Sequence, residues 1–169
     1  MAEISLRGEP IHTLGELPEV GQPAPDFSLV DGKLCDRHLG DYAGRKKVLS
    51  IVPSLDTPVC AKSTRRFNDF ATGRDDFALL VISADLPFAQ GRFCGKEKLK
   101  AVTTLSMMRS RRFAKDYGVL MVDGPLAGLT ARAVVVIDEA DRVIHTQLCA
   151  DLTDEPDYQK VMAVLEEPN

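Results

Sequence analysis

Three short apolar runs constrain the fold most, because nearly every side chain in them has to be buried. They are residues 48–52, 79–82 and 134–137, and Ser50 is the one polar residue among them. A strand with one face in water alternates apolar and polar residues, whereas a nearly continuous apolar strand is covered on both faces. The sequence therefore predicts an α/β sandwich, in which helices flank a central β-sheet.

The segments around these runs alternate in type, which predicts a mixed sheet. Strands joined by a helical crossover are expected to be parallel, and strands joined by a short turn antiparallel. We predict strands at residues 48–52, 77–83, 103–105, 133–137 and 142–148, and helices at 59–71, 88–93, 110–117 and 156–165, the last with its cap near Thr153 or Asp154. With no repeat or long linker, residues 1–169 are expected to form one domain.

Two hairpins are predicted before the first of these strands. Residues 4–6 and 11–14 flank Gly8-Glu9-Pro10 and form an N-terminal β-hairpin. Residues 27–30 and 33–35 flank Asp31-Gly32, a dipeptide typical of tight hairpin turns.

The charge and hydropathy of the chain exclude several classes of protein. The net charge is −4 and the basic residues are scattered, so no nucleic-acid partner is expected. No segment approaches the roughly 18 apolar residues of a membrane span. The N-terminus lacks the basic start and apolar core of a signal peptide, so a cytoplasmic location is expected. In that compartment the four cysteines are expected to be reduced at rest, and a pair that oxidises there is usually catalytic or redox-sensing.

Cys60 occupies the position that best suits a reactive thiolate. It follows a predicted strand and falls in the first turn of the next helix, where Thr57 is a good N-cap and Pro58 fits the first helical position. The unpaired N–H groups and the helix dipole favour a negative group at this end. We expect the pKa of the Cys60 thiol to lie below the free value of about 8.5. The Thr57 hydroxyl is expected to donate to the thiolate or to a substrate oxygen.

The cation that assists Cys60 is expected to come from a distant segment. Arg65 and Arg66 lie off the i+3/i+4 face that Cys60 shares with Ser63 and Thr64, and Lys62 also faces away. Arg132 begins the apolar strand at 133–137, and a charge at the mouth of a buried strand needs a partner. Taken alone, Arg132 is equally consistent with an ordinary salt bridge. Cys60 alone is also consistent with a small buried hydrophobe, as most free cysteines are.

Cys94 is a candidate second thiol. It is predicted at the far end of the helix that Pro87 or Phe88 opens, where the dipole disfavours a thiolate, so it is a poor first nucleophile. It could resolve an oxidised Cys60, but a disulfide needs Cα atoms roughly 4.4–6.8 Å apart. One or both helices are therefore predicted to unwind partly, and Gly91 and Gly95 weaken the second helix.

The pattern Pro53-x-x-x-Thr57-x-x-Cys60 resembles the active-site pattern of the peroxiredoxins. The N-terminal hairpin and residues 83–95, 117–118, 123–126 and 131–139 are similar to the atypical two-cysteine thiol peroxidases, so the resemblance runs nearly end to end. It implies a thioredoxin-like fold and reduction of hydrogen peroxide and organic hydroperoxides.

The same resemblance implies roles for single residues and partners. Cys60 would be the peroxidatic cysteine and Cys94 the resolving cysteine of the same chain. Thr57 and Arg132 would activate thiol and peroxide, and Pro53 would shield the pocket. The substrate would be a hydroperoxide, the reductant thioredoxin and the assembly a homodimer, and no metal or haem would be required.

Other functions fit the residues less well. A general thiol–disulfide oxidoreductase usually carries Cys-x-x-Cys, and here Thr57 and Ser63 flank Cys60 at that spacing. A zinc module usually has ligands in close pairs, and no two cysteines are close. A structural or regulatory binding protein would leave the helix-start thiol unexplained. Cys35 and Cys149 are expected to be packing residues, an intermolecular or off-pathway disulfide being the alternative.

Overall fold

The computed structural model describes residues 1–168, which form a seven-stranded sheet, a separate two-stranded hairpin and four α-helices. The hairpin consists of β1 (Glu3–Leu6) and β2 (Glu9–His12). The central sheet contains β3 (Ser28–Val30), β4 (Asp36–His38), β5 (Lys46–Ile51), β6 (Phe77–Ser83), β7 (Thr103–Ser106), β8 (Ala133–Ile137) and β9 (Val143–Leu148). The helices are α1 (Pro58–Ala71), α2 (Pro87–Glu97), α3 (Arg112–Asp116) and α4 (Tyr158–Glu166).

The central sheet is mixed, as predicted. Its strand order is β4-β3-β7-β6-β5-β8-β9. The strands connected through α1 and α2, namely β5, β6 and β7, are parallel, and the remaining pairs are antiparallel. The helical crossovers and the short turns therefore set strand direction as the connection rules require.

The apolar strands at the centre of the sheet are buried on both faces. In β5, Val48 packs on one face with Phe67 of α1 and Val161 of α4. Leu49 and Ile51 pack on the other face in a second cluster that includes Phe113 of α3. This confirms the expectation that continuous apolar strands lie between two layers.

Both N-terminal hairpins form, but with other turns than expected. In the first, Leu6 pairs with Glu9, so Arg7 and Gly8 make the turn with positive φ values of 52° and 85°. Positive φ at both turn positions matches the right-handed twist of the strands. In the second, the Asp31 carboxylate accepts hydrogen bonds from the N–H groups of Lys33 and Cys35, which lengthens the turn. The returning strand therefore starts at Asp36, and residues 33–35 are not a strand.

Several element ends also differ from prediction. Helix α2 runs to Glu97, about one turn beyond the predicted end, and closes at Lys98 in the left-handed region. Helix α4 begins after Asp157, whose side chain accepts from the N–H of Lys160, so neither Thr153 nor Asp154 is the cap. Helix α3 is shorter than predicted. None of the helices in the described part of the chain is both long enough and apolar enough to cross a membrane.

Candidate active site

The topology brings three segments to one edge of the sheet. Strands β5 and β6 are parallel neighbours, so α1 and α2 both start beyond the same edge. Strand β8 runs antiparallel to β5, and Ala133 at its start pairs with Ile51 at the end of β5. Arg132, which directly precedes β8, therefore reaches the edge where α1 begins. Clefts at the carboxyl ends of parallel strands are common ligand sites in α/β proteins.

The start of α1 has the predicted register, but Thr57 does not cap it through its side chain. Thr57 has the extended backbone of an N-cap residue, Pro58 is the first helical residue and Cys60 the third. The Thr57 hydroxyl donates to the carbonyl of Ser54 at 2.9 Å. The side chain thus closes the loop before the helix, and the expected donation to the Cys60 sulfur is not made in this conformation.

Cys60 and Arg132 are in contact and buried. The Arg132 Nη1 donates to the Cys60 Sγ at 3.2 Å, with the two residues 3% and 0% exposed. Burial among apolar side chains disfavours a thiolate, whereas a hydrogen bond from a guanidinium favours it. The two residues that the sequence places far apart are therefore joined as a thiol–guanidinium pair.

The other two guanidinium nitrogens of Arg132 also donate hydrogen bonds. Nε and Nη2 donate to the carbonyl of Leu152 at 3.1 and 3.0 Å. A planar guanidinium with two N–H groups on one acceptor has its third nitrogen fixed in direction. The Leu152 carbonyl therefore helps to aim Nη1 at Cys60, a role that no local sequence pattern indicates.

The cations near Cys60 in sequence point away from it, as predicted. Each has a partner on another segment of the chain. The pairs are Lys62 with Glu155 at 3.1 Å, Arg65 with Glu97 at 3.4 Å, and Arg66 over the ring of Tyr158 at 4.9 Å. The geometric exclusion of these three side chains is confirmed.

Ser63 and Thr64 share the face of α1 on which Cys60 lies, also as predicted. Their hydroxyls donate to the Cys60 carbonyl at 3.1 and 2.7 Å, respectively. Such bonds compete with the backbone bonds of a helix and commonly bend it. The first turn of α1 therefore has alternative hydrogen-bond partners for its backbone.

Asp85 links the two helix starts, and sequence reasoning gave it no role. Its carboxylate accepts hydrogen bonds from the Ser54 hydroxyl (2.7 Å), the Leu55 N–H (2.8 Å) and the Ser83 hydroxyl (2.8 Å). It thereby ties the loop before α1 to the loop before α2. Asp85 directly follows a predicted buried strand, and this position indicates a place near Cys60, because polar residues there lie at the same edge of the sheet.

A cleft of about 650 Å³ lies between the start of α1 and one side of α2, along which it extends to the end of the helix. Its lining comes from residues 54–58, Asp85 and the exposed side of α2, including Phe93. Pro53 is buried at the end of β5, directly before this loop. Cys60 is fully buried, so a molecule in this cleft contacts its sulfur only if this loop or the first turn of α1 shifts.

Cys94 lies within the last turn of α2 and is half-buried. Its carbonyl accepts from the N–H of Leu99, which closes the helix. Burial raises the pKa of the Cys94 thiol. Cys94 is thus a protonated thiol at neutral pH, held in the last turn of α2.

The other two cysteines differ from each other. Cys149 is buried, as expected for a packing residue, and its pKa is raised to about 11, chiefly by burial. Cys35 is exposed, so the packing prediction is wrong for it. Within residues 1–168, His, Cys, Asp and Glu side chains form no group of three or more that could hold a metal ion.

Both the sequence and the fold are similar to known proteins over almost their whole length. Residues 19–162 match the family model described as Redoxin. A thiol peroxidase of Leptospira interrogans is 44% identical over 165 residues, 96% of each chain. The structure of a peroxiredoxin-like protein from Aquifex aeolicus has a TM-score of 0.92 at 38% identity, covering 98% of this chain and 96% of that one. The structure of a thiol peroxidase from Chromobacterium violaceum has a TM-score of 0.90 at 27% identity, covering 97% of this chain and 95% of that one.

Proposed function

The chain belongs to the peroxiredoxin family, as one of its thiol peroxidases, and we propose that Cys60 is the residue that the peroxide substrate oxidises. Membership also confirms the thioredoxin-like fold and the thiol-dependent reduction of peroxide. The observation that carries the assignment of Cys60 is its buried hydrogen bond from Arg132 at the start of α1.

This geometry supports the following first step. The Cys60 thiolate attacks one peroxide oxygen, and the S–O bond forms as the O–O bond breaks. Sulfur loses two electrons and becomes a sulfenic acid, while the departing oxygen takes a proton and leaves as water or an alcohol. Arg132 stabilises the thiolate and the charge that develops on the oxygens.

Thr57 and Pro53 complete the proposed pocket. The Thr57 hydroxyl lies one turn before Cys60 and now donates to Ser54. We propose that it turns to the peroxide when the substrate enters, since a hydroxyl rotates to suit its partner. Pro53 offers no N–H to water and is buried beside the loop, which supports its proposed role as a shield.

We propose that Cys94 is the resolving cysteine, which reacts with the oxidised Cys60. Its thiol attacks the sulfur of the Cys60 sulfenic acid, the S–S bond forms, and the hydroxyl leaves as water. The half-buried thiol at the end of α2 requires that helix, and the first turn of α1, to unwind partly. The start of both helices at one sheet edge supports this pairing.

The disulfide is then reduced by thiol–disulfide exchange with an external dithiol, for which we propose thioredoxin. The exposed cations Arg92, Lys96, Lys98 and Lys100 surround Cys94 in sequence, and support docking of a partner with acidic groups. Leu86 and Phe88 are 52% and 69% exposed beside the cleft, and support a homodimer. We propose a cytoplasmic location, because a thioredoxin-coupled cycle needs a reducing compartment.

Peptide mapping after one equivalent of hydrogen peroxide tests the cysteine assignments. We expect a Cys60–Cys94 disulfide in the wild type, and a stable sulfenic acid at Cys60 in Cys94→Ser. Cys60→Ser should lose thioredoxin-coupled peroxide turnover, whereas Cys35→Ser, at the exposed thiol, should keep it. Full turnover by Cys60→Ser would refute the central assignment, and a missing Cys60–Cys94 linkage would refute the role of Cys94 alone.

A further inference from the structure

The direction of the Arg132 guanidinium depends on a single backbone carbonyl. Two of its nitrogens donate to Leu152, and the third donates to Cys60. Any movement of the Leu152 carbonyl therefore moves Nη1 relative to the sulfur. What holds residues 150–154 in place consequently bears on the chemistry at Cys60.

Residues 150–154 lie outside the helices and the central sheet and are held by the N-terminal hairpin. The Ser5 N–H donates to the carbonyl of Ala150, and the Leu152 N–H donates to the carbonyl of Ser5, each at 2.9 Å. These bonds form a short parallel bridge between β1 and the segment. The Leu152 side chain is buried in the same apolar cluster as Ile4 and Ile11 of the hairpin.

Asp151 joins the two parts through its carboxylate. Oδ2 accepts from the Ser5 hydroxyl at 2.6 Å and from the Gly8 N–H at 3.1 Å. Oδ1 accepts from the Thr153 N–H at 2.9 Å and from its hydroxyl at 2.6 Å. One oxygen thus faces the hairpin and the other shapes the turn that presents the Leu152 carbonyl. These hydrogen bonds, the Ser5 bond foremost, lower the pKa of Asp151, so the carboxylate is ionised at neutral pH.

We propose that the N-terminal hairpin positions the Arg132 guanidinium through Asp151, which makes Asp151 a positioning residue for peroxide attack at Cys60. The chain of contacts is continuous from Ser5 through Asp151 and Leu152 to Arg132. The hairpin thereby takes part in the reaction without touching the substrate. The inference rests on the proposed roles of Cys60 and Arg132.

The test uses the full chain and Asp151→Asn, which keeps the shape of the side chain but replaces one acceptor oxygen with a donor group. We expect the second-order rate of Cys60 oxidation by hydrogen peroxide to fall about tenfold, below the roughly hundredfold that a 1 Å misplacement can cost. The pH profile of Cys60 alkylation by iodoacetamide should shift upward. Ser5→Ala should give a smaller change in the same direction.

Asp123→Asn is the matched control. Asp123 also accepts hydrogen bonds from the hairpin, at His12 N–H and Nδ1, both at 2.7 Å, but its contacts do not lead to Leu152. In Asp123→Asn, the rate of Cys60 oxidation by hydrogen peroxide should equal that of the wild type. An equal slowing in both variants would show that the hairpin acts only through general stability, and would overturn the proposal.

A double-mutant cycle separates this inference from the function it rests on. In an Arg132→Met background, Asp151→Asn should have no further effect on the rate or on the alkylation profile. If Arg132→Met itself leaves the rate unchanged, the proposed role of Arg132 fails. If Arg132→Met slows oxidation while Asp151→Asn matches the wild type, the positioning role alone is overturned. Should Asp151→Asn lose its native circular dichroism, Ser5→Ala decides by the same criteria.

Discussion

Arg132 divides its nitrogens between two acceptors, and this division determines what a substitution there does. Arg132→Met removes a charge-assisted hydrogen bond to Cys60 worth about 1.5–3 kcal/mol. At about 1.4 kcal/mol per tenfold, peroxide attack should slow by about 10- to 150-fold. Competition with a second peroxidase for limiting peroxide measures this rate directly.

Arg132→Lys is the informative companion variant. It keeps the positive charge, but one ammonium cannot reproduce a planar fork that holds Leu152 and Cys60 together. We expect an intermediate rate. A rate equal to the wild type in both variants would remove Arg132 from the site.

Single residues also show where sequence reasoning stops. The register of Thr57, Pro58 and Cys60 was predictable because capping rules act within one turn. The contact of Thr57 with Ser54 was not, because the loop conformation chooses the hydroxyl's partner. Arg132 was found as an unpartnered charge at the end of a buried strand, but its distance to Cys60 depends on strand pairing.

Helix α2 has to open in the proposed cycle, and its glycines are expected to set how easily it does so. A Cβ added at Gly91 or Gly95 meets no neighbouring atom within 4 Å. Each Gly→Ala change should stabilise the helix by about 0.5–1 kcal/mol. Disulfide formation after peroxide treatment should then slow by about two- to fivefold, while the initial oxidation of Cys60 keeps its rate.

Ala89→Gly, at an exposed position of the same helix, provides the opposite change. It should speed the formation of the Cys60–Cys94 disulfide. Acid quenching followed by mass spectrometry of the Cys60–Cys94 peptide gives both time courses. If the alanine variants form the disulfide as fast as the wild type, unwinding of α2 does not limit resolution.

Elements were predicted well where the apolar pattern is strong and less well at their ends. Strands β6 and β8 have the predicted bounds, since their continuous apolar runs stop at polar residues. Helix α2 was predicted to end before Gly95, whereas it continues to Glu97 and is ended by the left-handed closure at Lys98. Local propensity is a weak guide when packing and end closure decide the length.

The molecule as a whole is expected to lose stability in acid. Hydrogen bonds lower the pKa of several carboxylates below the ordinary values of 3.8 for Asp and 4.5 for Glu. The donors are chiefly Arg74 for Asp76, His12 for Asp123, Ser5 for Asp151 and Tyr158 for Glu155. Because the unfolded chain binds more protons, their stabilisation is present above the ordinary pKa values and is lost as pH falls through the folded ones.

Urea unfolding as a function of pH tests this expectation. The free energy of unfolding should decline below about pH 4.5, and Asp76→Asn should reduce that decline. Asp56→Asn, at an exposed position before α1, should leave the decline unchanged. A pH-independent free energy between neutrality and pH 3 in the wild type would contradict the assignment of these carboxylates.

For the whole molecule, the sheet could be predicted from the sequence and the site only in part. Alternating elements fixed which strands are parallel, and hence that α1 and α2 start at one edge. The antiparallel placement of β8 beside β5 was not readable from local pattern, because strand order depends on contacts distant in sequence. The contacts of Asp85, Asp151 and Leu152 share this cause: each partner lies on another segment.

The four cysteines form a graded series of chemical probes. Cys35 is exposed, Cys94 is half-buried, and Cys60 and Cys149 are buried. A bulky thiol reagent therefore labels them in an order set by access rather than by intrinsic reactivity. The delay before Cys60 is labelled should report how often the first turn of α1 opens, as the proposed cycle requires. Labelling of this native cysteine should therefore measure the rate of the motion proposed to admit substrate, without an attached dye or spin label.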